Sequence, residues 1–222
     1  NSLPGYFDLR QVKIEKKEEA GKSTPVFWQI FYYFPSGSEI QITDGEYDNL
    51  QIQPRGTKVV WKAYPIQGHA EIFLYDAGNK EKKQISINNS SNDDPILTDD
   101  GRVVWRGWDA QLGTWNIYFY NGSETVRISN TAEGALWPSI AGDVITWQER
   151  SSGVWQIMAY NISTHRPWLI TGDSNNNEHP QTDGRNIVWQ KETSENFHDI
   201  FIYDLKTERL WNLSKKDSGD KV

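Results

Sequence analysis

Two kinds of side chain in this 222-residue sequence could do chemistry: carboxylates and surplus aromatics. Asp94 and Glu178 are the carboxylate pair best placed for general acid–base work on a sugar, which needs two carboxyls about 5–9.5 Å apart across the bond. Asp173-Ser-Asn175-Asn-Asn177 puts an oxygen at every second residue, as a calcium loop does. It lacks the glycine and terminal glutamate of an EF-hand, so a polar turn is the simpler reading and no cofactor is expected. Cysteine is absent, which excludes disulfides, thiolate zinc sites and a Cys nucleophile. No Gly-x-Ser-x-Gly, His-Glu-x-x-His or Walker A loop occurs, and the four histidines share no spacing. Trp108 and Trp137 offer flat apolar faces for a sugar ring or a partner's side chain. With Asp94, His179, His198, Tyr64 and Phe197 they form the candidate ligand-binding set, and no catalytic residue is assigned.

These residues sit on a repeat. A glycine followed by a β-branched pair and Trp recurs as Gly56–Trp61, Gly101–Trp105, Gly142–Trp147 and Gly184–Trp189. The tryptophans lie 44, 42 and 42 residues apart. Each is followed by an Ile-aromatic run: Ile72–Asp76, Ile117–Asn121, Ile157–Asn161 and Ile200–Asp204, with an upstream copy at Ile30–Phe34. A shorter run ending in Thr43, Ser86, Ser129, Thr171 or Ser214 closes each unit. Pro95, Pro138 and Pro180 mark a segment ahead of the glycine in three units.

Four short β-branched or aromatic segments per unit, bounded by Gly, Asp, Asn and Ser, read as four strands. About 42–45 residues per four strands is the period of a propeller blade. The expected fold is all-β: a single propeller over 1–222, with blades near 1–44, 45–88, 89–130, 131–172 and 173–214 and a tail at 215–222. Phe7–Glu15 is the expected second strand of the first blade. Ser2–Tyr6 or the tail would close a five-bladed ring.

Pro138-Ser-Ile-Ala-Gly-Asp-Val-Ile-Thr-Trp147, followed by Trp155-Gln-Ile-Met-Ala-Tyr-Asn161, resembles the TolB-type propeller repeat of archaeal and bacterial surface proteins. So does Pro180–Trp189 with Asp199–Leu205. The resemblance implies an exported, mostly non-enzymatic scaffold that binds through loops at the channel mouth. It covers 45–214 well and 1–44 weakly.

The repeat also sorts the 11 tryptophans. Trp61, Trp105, Trp147 and Trp189 form one column; Trp28, Trp115 and Trp155 a second; Trp168 and Trp211 a third. Trp108, in the hairpin Arg106–Thr114, and Trp137, just ahead of the innermost strand, are left over. Gln51, Asp94, Trp137 and His179 align as a variable position on one face, where propellers bind. Asn88, Asn89, Asn121, Asn161 and Asn212 begin Asn-x-Ser triplets; Asn121 and Asn161 share a turn column with Asp76 and Asp204, which turn chemistry explains without sugar.

A net charge of −7 argues against nucleic acid or an anionic membrane as partner. No apolar run approaches the roughly 20 residues of a membrane span. The start, without Met or an apolar leader, reads as a trimmed product. The expectation is a monomeric, exported binding module for a glycan or protein. The alternatives are a carbohydrate-active enzyme using funnel carboxylates and a structural module of a larger surface protein.

Overall fold

The structure is a computed structural model that describes residues 12–16, 27–33, 39–44, 47–65, 67–194 and 197–215. Its nineteen described elements are all strands. The first sheet holds β1 (Val12–Lys16), β2 (Trp28–Tyr33) and β3 (Glu39–Gln41). Four four-stranded sheets follow in sequence order. The second is β4 (Tyr47–Arg55), β5 (Lys58–Pro65), β6 (Glu71–Asp76) and β7 (Glu81–Gln84). The third is β8 (Asn92–Leu97), β9 (Val103–Asp109), β10 (Thr114–Tyr120) and β11 (Thr125–Arg127). The fourth is β12 (Ala135–Ala141), β13 (Val144–Ser151), β14 (Val154–Asn161) and β15 (Arg166–Leu169). The fifth is β16 (Asn177–Thr182), β17 (Asn186–Ser194), β18 (Phe197–Asp204) and β19 (Arg209–Asn212).

Each sheet is an antiparallel meander, as expected of a blade. The strand paired with β2 is Val12–Lys16, which overlaps the expected Phe7–Glu15 and runs one residue past it. Ser2–Tyr6, residues 7–11 and residues 216–222 lie outside the described residues. Cα packing divides the chain into two compact units: Asn1–Trp108 with Phe119–Val126, and Asp109–Tyr118 with Arg127–Val222.

The repeated sequence features each have a physical task. The signature glycine turns the chain between the first two strands of a blade, at φ +56, +91, +53 and +90 for Gly56, Gly101, Gly142 and Gly184. At Gly184 a Cβ would also meet the Ala141 carbonyl oxygen at 3.0 Å, so glycine is required twice over. The tryptophan column fills the core: Trp61, Trp105, Trp147 and Trp189 are at most 3% exposed. Truncating one to Ala would cost roughly 3–5 kcal/mol. In the first unit Trp61 packs with Ile30, Tyr32 and Val59; in the second Trp189 packs with Val144, Ile157 and Ile187.

The closing hydroxyl clamps the third strand. Thr43, Ser86, Ser129, Thr171 and Ser214 accept the backbone N–H of Ile30, Ile72, Ile117, Ile157 and Ile200, at 2.8–3.0 Å. Four of the hydroxyls then donate to the side chain preceding that isoleucine: Gln29, Glu71, Asn116 and Gln156. A hydroxyl is both donor and acceptor, which is why Ser or Thr stands at this position.

Two expectations about tryptophan are corrected. Trp108 is not in a hairpin loop: β9 runs through it to Asp109, and it is half-buried. Its N–H donates to the Ser91 carbonyl at 2.7 Å, so the strand edge is still engaged there. Trp28 and Trp211 are 37% and 44% exposed, so these members of the second and third columns are not blade core as the repeat suggested.

Candidate functional site

The variable column is a column of β-bulges. The first strand of each complete blade slips register at one place: between Leu50 and Gln53, Asp93 and Ile96, Leu136 and Ser139, and Glu178 and Gln181. Gln51, Asp94, Trp137 and His179 lie at these slips with φ of 51, 54, 55 and 54. None is a glycine, and for a bulky residue such as Trp this backbone is a true outlier costing about 1–3 kcal/mol. Trp137 is therefore inside β12, not ahead of it as expected.

In three of the four blades a proline marks the place of the slip; in the second blade Ile52 stands there instead. Proline cannot donate to a ladder, so inside a strand it is confined to edges and bulges. Pro95, Pro138 and Pro180 follow the left-handed residue directly and are buried. They anchor the bulge inward while the residue before them is thrown outward. The bulge also takes a backbone N–H out of the ladder, and the neighbouring blade supplies an acceptor. Asp94 N donates to Gln51 Oε1 at 3.1 Å, and His179 N to the buried Gln148 Oε1 at 2.8 Å. Nothing about Gln148 singles it out before strand register is known; the prolines are the available signal for the bulge.

The two units decorate the column differently. In the first, Gln51 Nε2 donates to Asp94 Oδ1 at 2.9 Å, and Arg106 Nε lies 2.9 Å from Asp94 Oδ2. Arg106 and Lys62 also hold Asp93, at 2.8 and 2.6 Å. Burial pulls the Asp93 carboxyl upward, but these two cations keep it below the ordinary carboxylate value. Asp94 is thus committed to an amide and a guanidinium. Tyr64 stands 49% exposed on β5 opposite Asp48.

In the second unit the column is aromatic. Trp137 and His179 meet edge to face, ring centroids 4.8 Å apart, with Trp137 47% exposed. Phe197 and His198 start β18 opposite Ser194 and Glu192, Phe197 being 69% exposed. Glu178 pairs with Gln190 in the β16–β17 register.

The side-chain oxygens of Asp173 and Asn177 in the calcium-like run are engaged by protein donors. Asp173 Oδ1 accepts the Asn175 N–H at 3.0 Å and Asn177 Nδ2 at 3.3 Å, while Oδ2 pairs with Lys191 at 2.7 Å. Asn177 Oδ1 accepts the Trp189 indole N–H at 2.8 Å. Among the described residues no group of three or more His, Asp or Glu is arranged to hold a metal. Asn121, Asn161 and Asn212 likewise cap turns, each accepting a backbone N–H two or three residues on.

No family model matches this chain, and no curated protein matches it. Solved structures do. TolB from Acinetobacter baumannii matches at TM-score 0.53 and 19% identity, over 84% of this chain and 48% of that one. A TolB structure from Agrobacterium tumefaciens matches at 0.56 and 13%, over 84% and 69%. The fold is a TolB-like β-propeller. An oligogalacturonate lyase in complex with manganese matches at 0.60 and 15%, over 89% of this chain and 63% of that one. The TolB-like architecture is therefore shared by an enzyme, and at these identities the likeness carries the fold alone. The chain spans about half the length of the Acinetobacter protein.

Proposed function

We propose that this TolB-like chain is an exported, non-enzymatic binding module that presents the Trp137–His179 pair of its second unit to a protein or glycan. Trp137 is the observation that carries this reading. It is held in a strained left-handed conformation yet remains 47% exposed, so its own packing does not account for the strain. Strain of this kind persists where the surrounding structure imposes it, and it clusters at ligand contacts. The buried Pro138 and the His179 ring hold the indole in a fixed outward pose. A rigid, half-exposed indole beside an imidazole suits stacking on a pyranose or on a partner's side chain. The net charge of −7 makes nucleic acid an unfavourable partner.

The test is a glycan array together with a pull-down, run on the wild type, Trp137→Ala and His179→Ala. Binding should fall at least tenfold in Trp137→Ala and less in His179→Ala, as expected of a central anchor and its support. Binding that survives both substitutions would overturn the reading.

A further inference from the structure

Each unit carries a pocket between two of its neighbouring blades, and both pockets open to solvent. In the first unit it lies between the second and third blades, with a volume of about 250 Å³. In the second it lies between the fourth and fifth, with about 510 Å³. The repeat gives the two some of the same walls: Gly101 and Tyr120 line the first where Gly184 and Tyr203 line the second.

What fills them differs. The smaller pocket holds two lysines. Lys58 pairs with Asp76 at 3.1 Å. Lys83, from the outer strand β7, reaches across to the third blade. Its Nζ lies 5.1 Å from the centre of the Tyr120 ring, and 3.4 Å from both the Tyr120 hydroxyl and the Ser123 carbonyl. An ammonium in this place is attracted by the negative face of the ring. Cross-strand register identifies the matching positions in the larger pocket. Lys83 faces Leu74 on β6 and Trp168 faces Ala159 on β14, so Trp168 stands at the position of Lys83. Lys58 faces Asp76 and Val144 faces Asn161, so Val144 and Asn161 replace that ion pair. The tyrosine remains, as Tyr203, without the lysine that its counterpart holds.

The remaining walls suit a cation. Trp168 and Tyr203 are partly buried against the core of their unit, and among the described residues no ring contact joins them. Asp143 and Glu208 put carboxylates on the lining, Asp143 accepting Ser163 Oγ at 2.7 Å. Arg185 on the same lining is paired with Asp204 at 2.8 Å. Lys206 opposes a cation there, and the net charge of −7 favours one.

We propose that this pocket receives the ammonium group of a lysine side chain from a partner protein, laid over Tyr203 beside Trp168 as Lys83 is laid over Tyr120. The pocket shares no residue with the Trp137–His179 pair, so neither reading depends on the other.

The probe is Nα-acetyl-lysine methylamide. Nα-acetyl-norleucine methylamide is the control, which keeps an aliphatic chain and lacks the charge. Nitrogen-15 NMR follows the Trp168 indole N–H, assigned by its loss in Trp168→Phe, and the backbone N–H of Leu205, which every variant keeps. The lysine probe should shift both resonances saturably. It should bind about fivefold more tightly than the control, the fold-change of one partly exposed cation–π contact. Trp168→Lys restores the residue of the second blade, so its own ammonium should occupy Tyr203 and abolish binding. If that variant does not fold, Tyr203→Leu decides, because the preference for lysine over norleucine must vanish there. Lys206→Gln removes the opposing charge and should tighten lysine binding about twofold. Resonances that the lysine probe leaves unmoved, equal binding of the two probes to the wild type, or weaker lysine binding in Lys206→Gln would each overturn the proposal.

Discussion

A buried indole N–H must find an acceptor, and the core tryptophans show how single residues answer that need. Asn92 and Asn177 answer it from the first strand, and Glu149 answers it from the second where Ala135 has replaced the asparagine. The carboxylate is a costly answer. Burial pushes the Glu149 carboxyl above its ordinary value, and the bond from Trp147 only partly offsets this. A carboxyl whose folded value is raised loses stability as pH climbs through the unfolded value of 4.5 towards the folded one. Glu149→Gln keeps an acceptor for Trp147 and removes the buried charge. Urea titrations should show the variant more stable than wild type at neutral pH, with the gain vanishing below about pH 4. An equal gain at both pH values would mean that packing, not charge, is responsible. The tryptophan column was plain in the sequence because it recurs at a fixed period. Its acceptors were not, because Ala135 and Glu149 become partners only once strand register is known.

At the scale of the element, the bulge makes an edge strand into a presenting surface. A proline recurs at the first strand of three repeats, and the structure puts it inside that strand at the bulge instead of at its start. The left-handed backbone one residue earlier was not visible, since Gln, Asp, Trp and His carry no signal for it. For the same reason nothing in the sequence puts Trp137 inside its strand. Gly107 reads as a turn residue beside Trp108, yet the strand continues to Asp109. The turn falls later, where Gly113 N bonds back to the Asp109 carbonyl at 2.8 Å. Strain and presentation at Trp137 can be separated experimentally. Trp137→Gly removes the indole and accepts φ of 55 freely, so it should raise stability by about 1 kcal/mol while abolishing ligand binding. Trp137→Ala removes the same ring and keeps most of the backbone strain, so it should not share the gain. Chemical denaturation of the two variants side by side measures the difference. If alanine stabilises as much as glycine, the left-handed backbone is not a source of strain.

For the whole molecule, the acidic residues that looked like candidates for chemistry serve mainly to hold turns and ion pairs. Asp204 accepts the backbone N–H groups of Thr207 and Lys206 and pairs with Arg185, and its carboxyl is lowered to about 2. Burial pulls Asp76, Asp100, Asp109 and Asp173 upward, yet turn N–H groups and neighbouring cations leave each below the ordinary value. Asp183 is lowered by Asn186 and adjacent backbone N–H groups. Asp76 and Asp204 share one turn position of the repeat and Asp100 and Asp183 another, and all of these carboxyls are lowered, so their linkage to folding acts in one direction. A carboxyl depressed below its unfolded value of 3.8 contributes stability above that pH and loses it as pH falls through the folded value. Glu71 and Glu149, raised by burial, act the other way, but their effect is spent as pH drops to the unfolded value of 4.5. Stability should therefore hold from neutral pH to about pH 4.5 and then fall steeply towards about pH 2. Asp204→Asn should flatten the last part of that fall, because the residue that titrates lowest is gone. Denaturant midpoints measured along the pH series test this, and a midpoint unchanged between about pH 6 and 2.5 would mean that the carboxylates do not hold the blades.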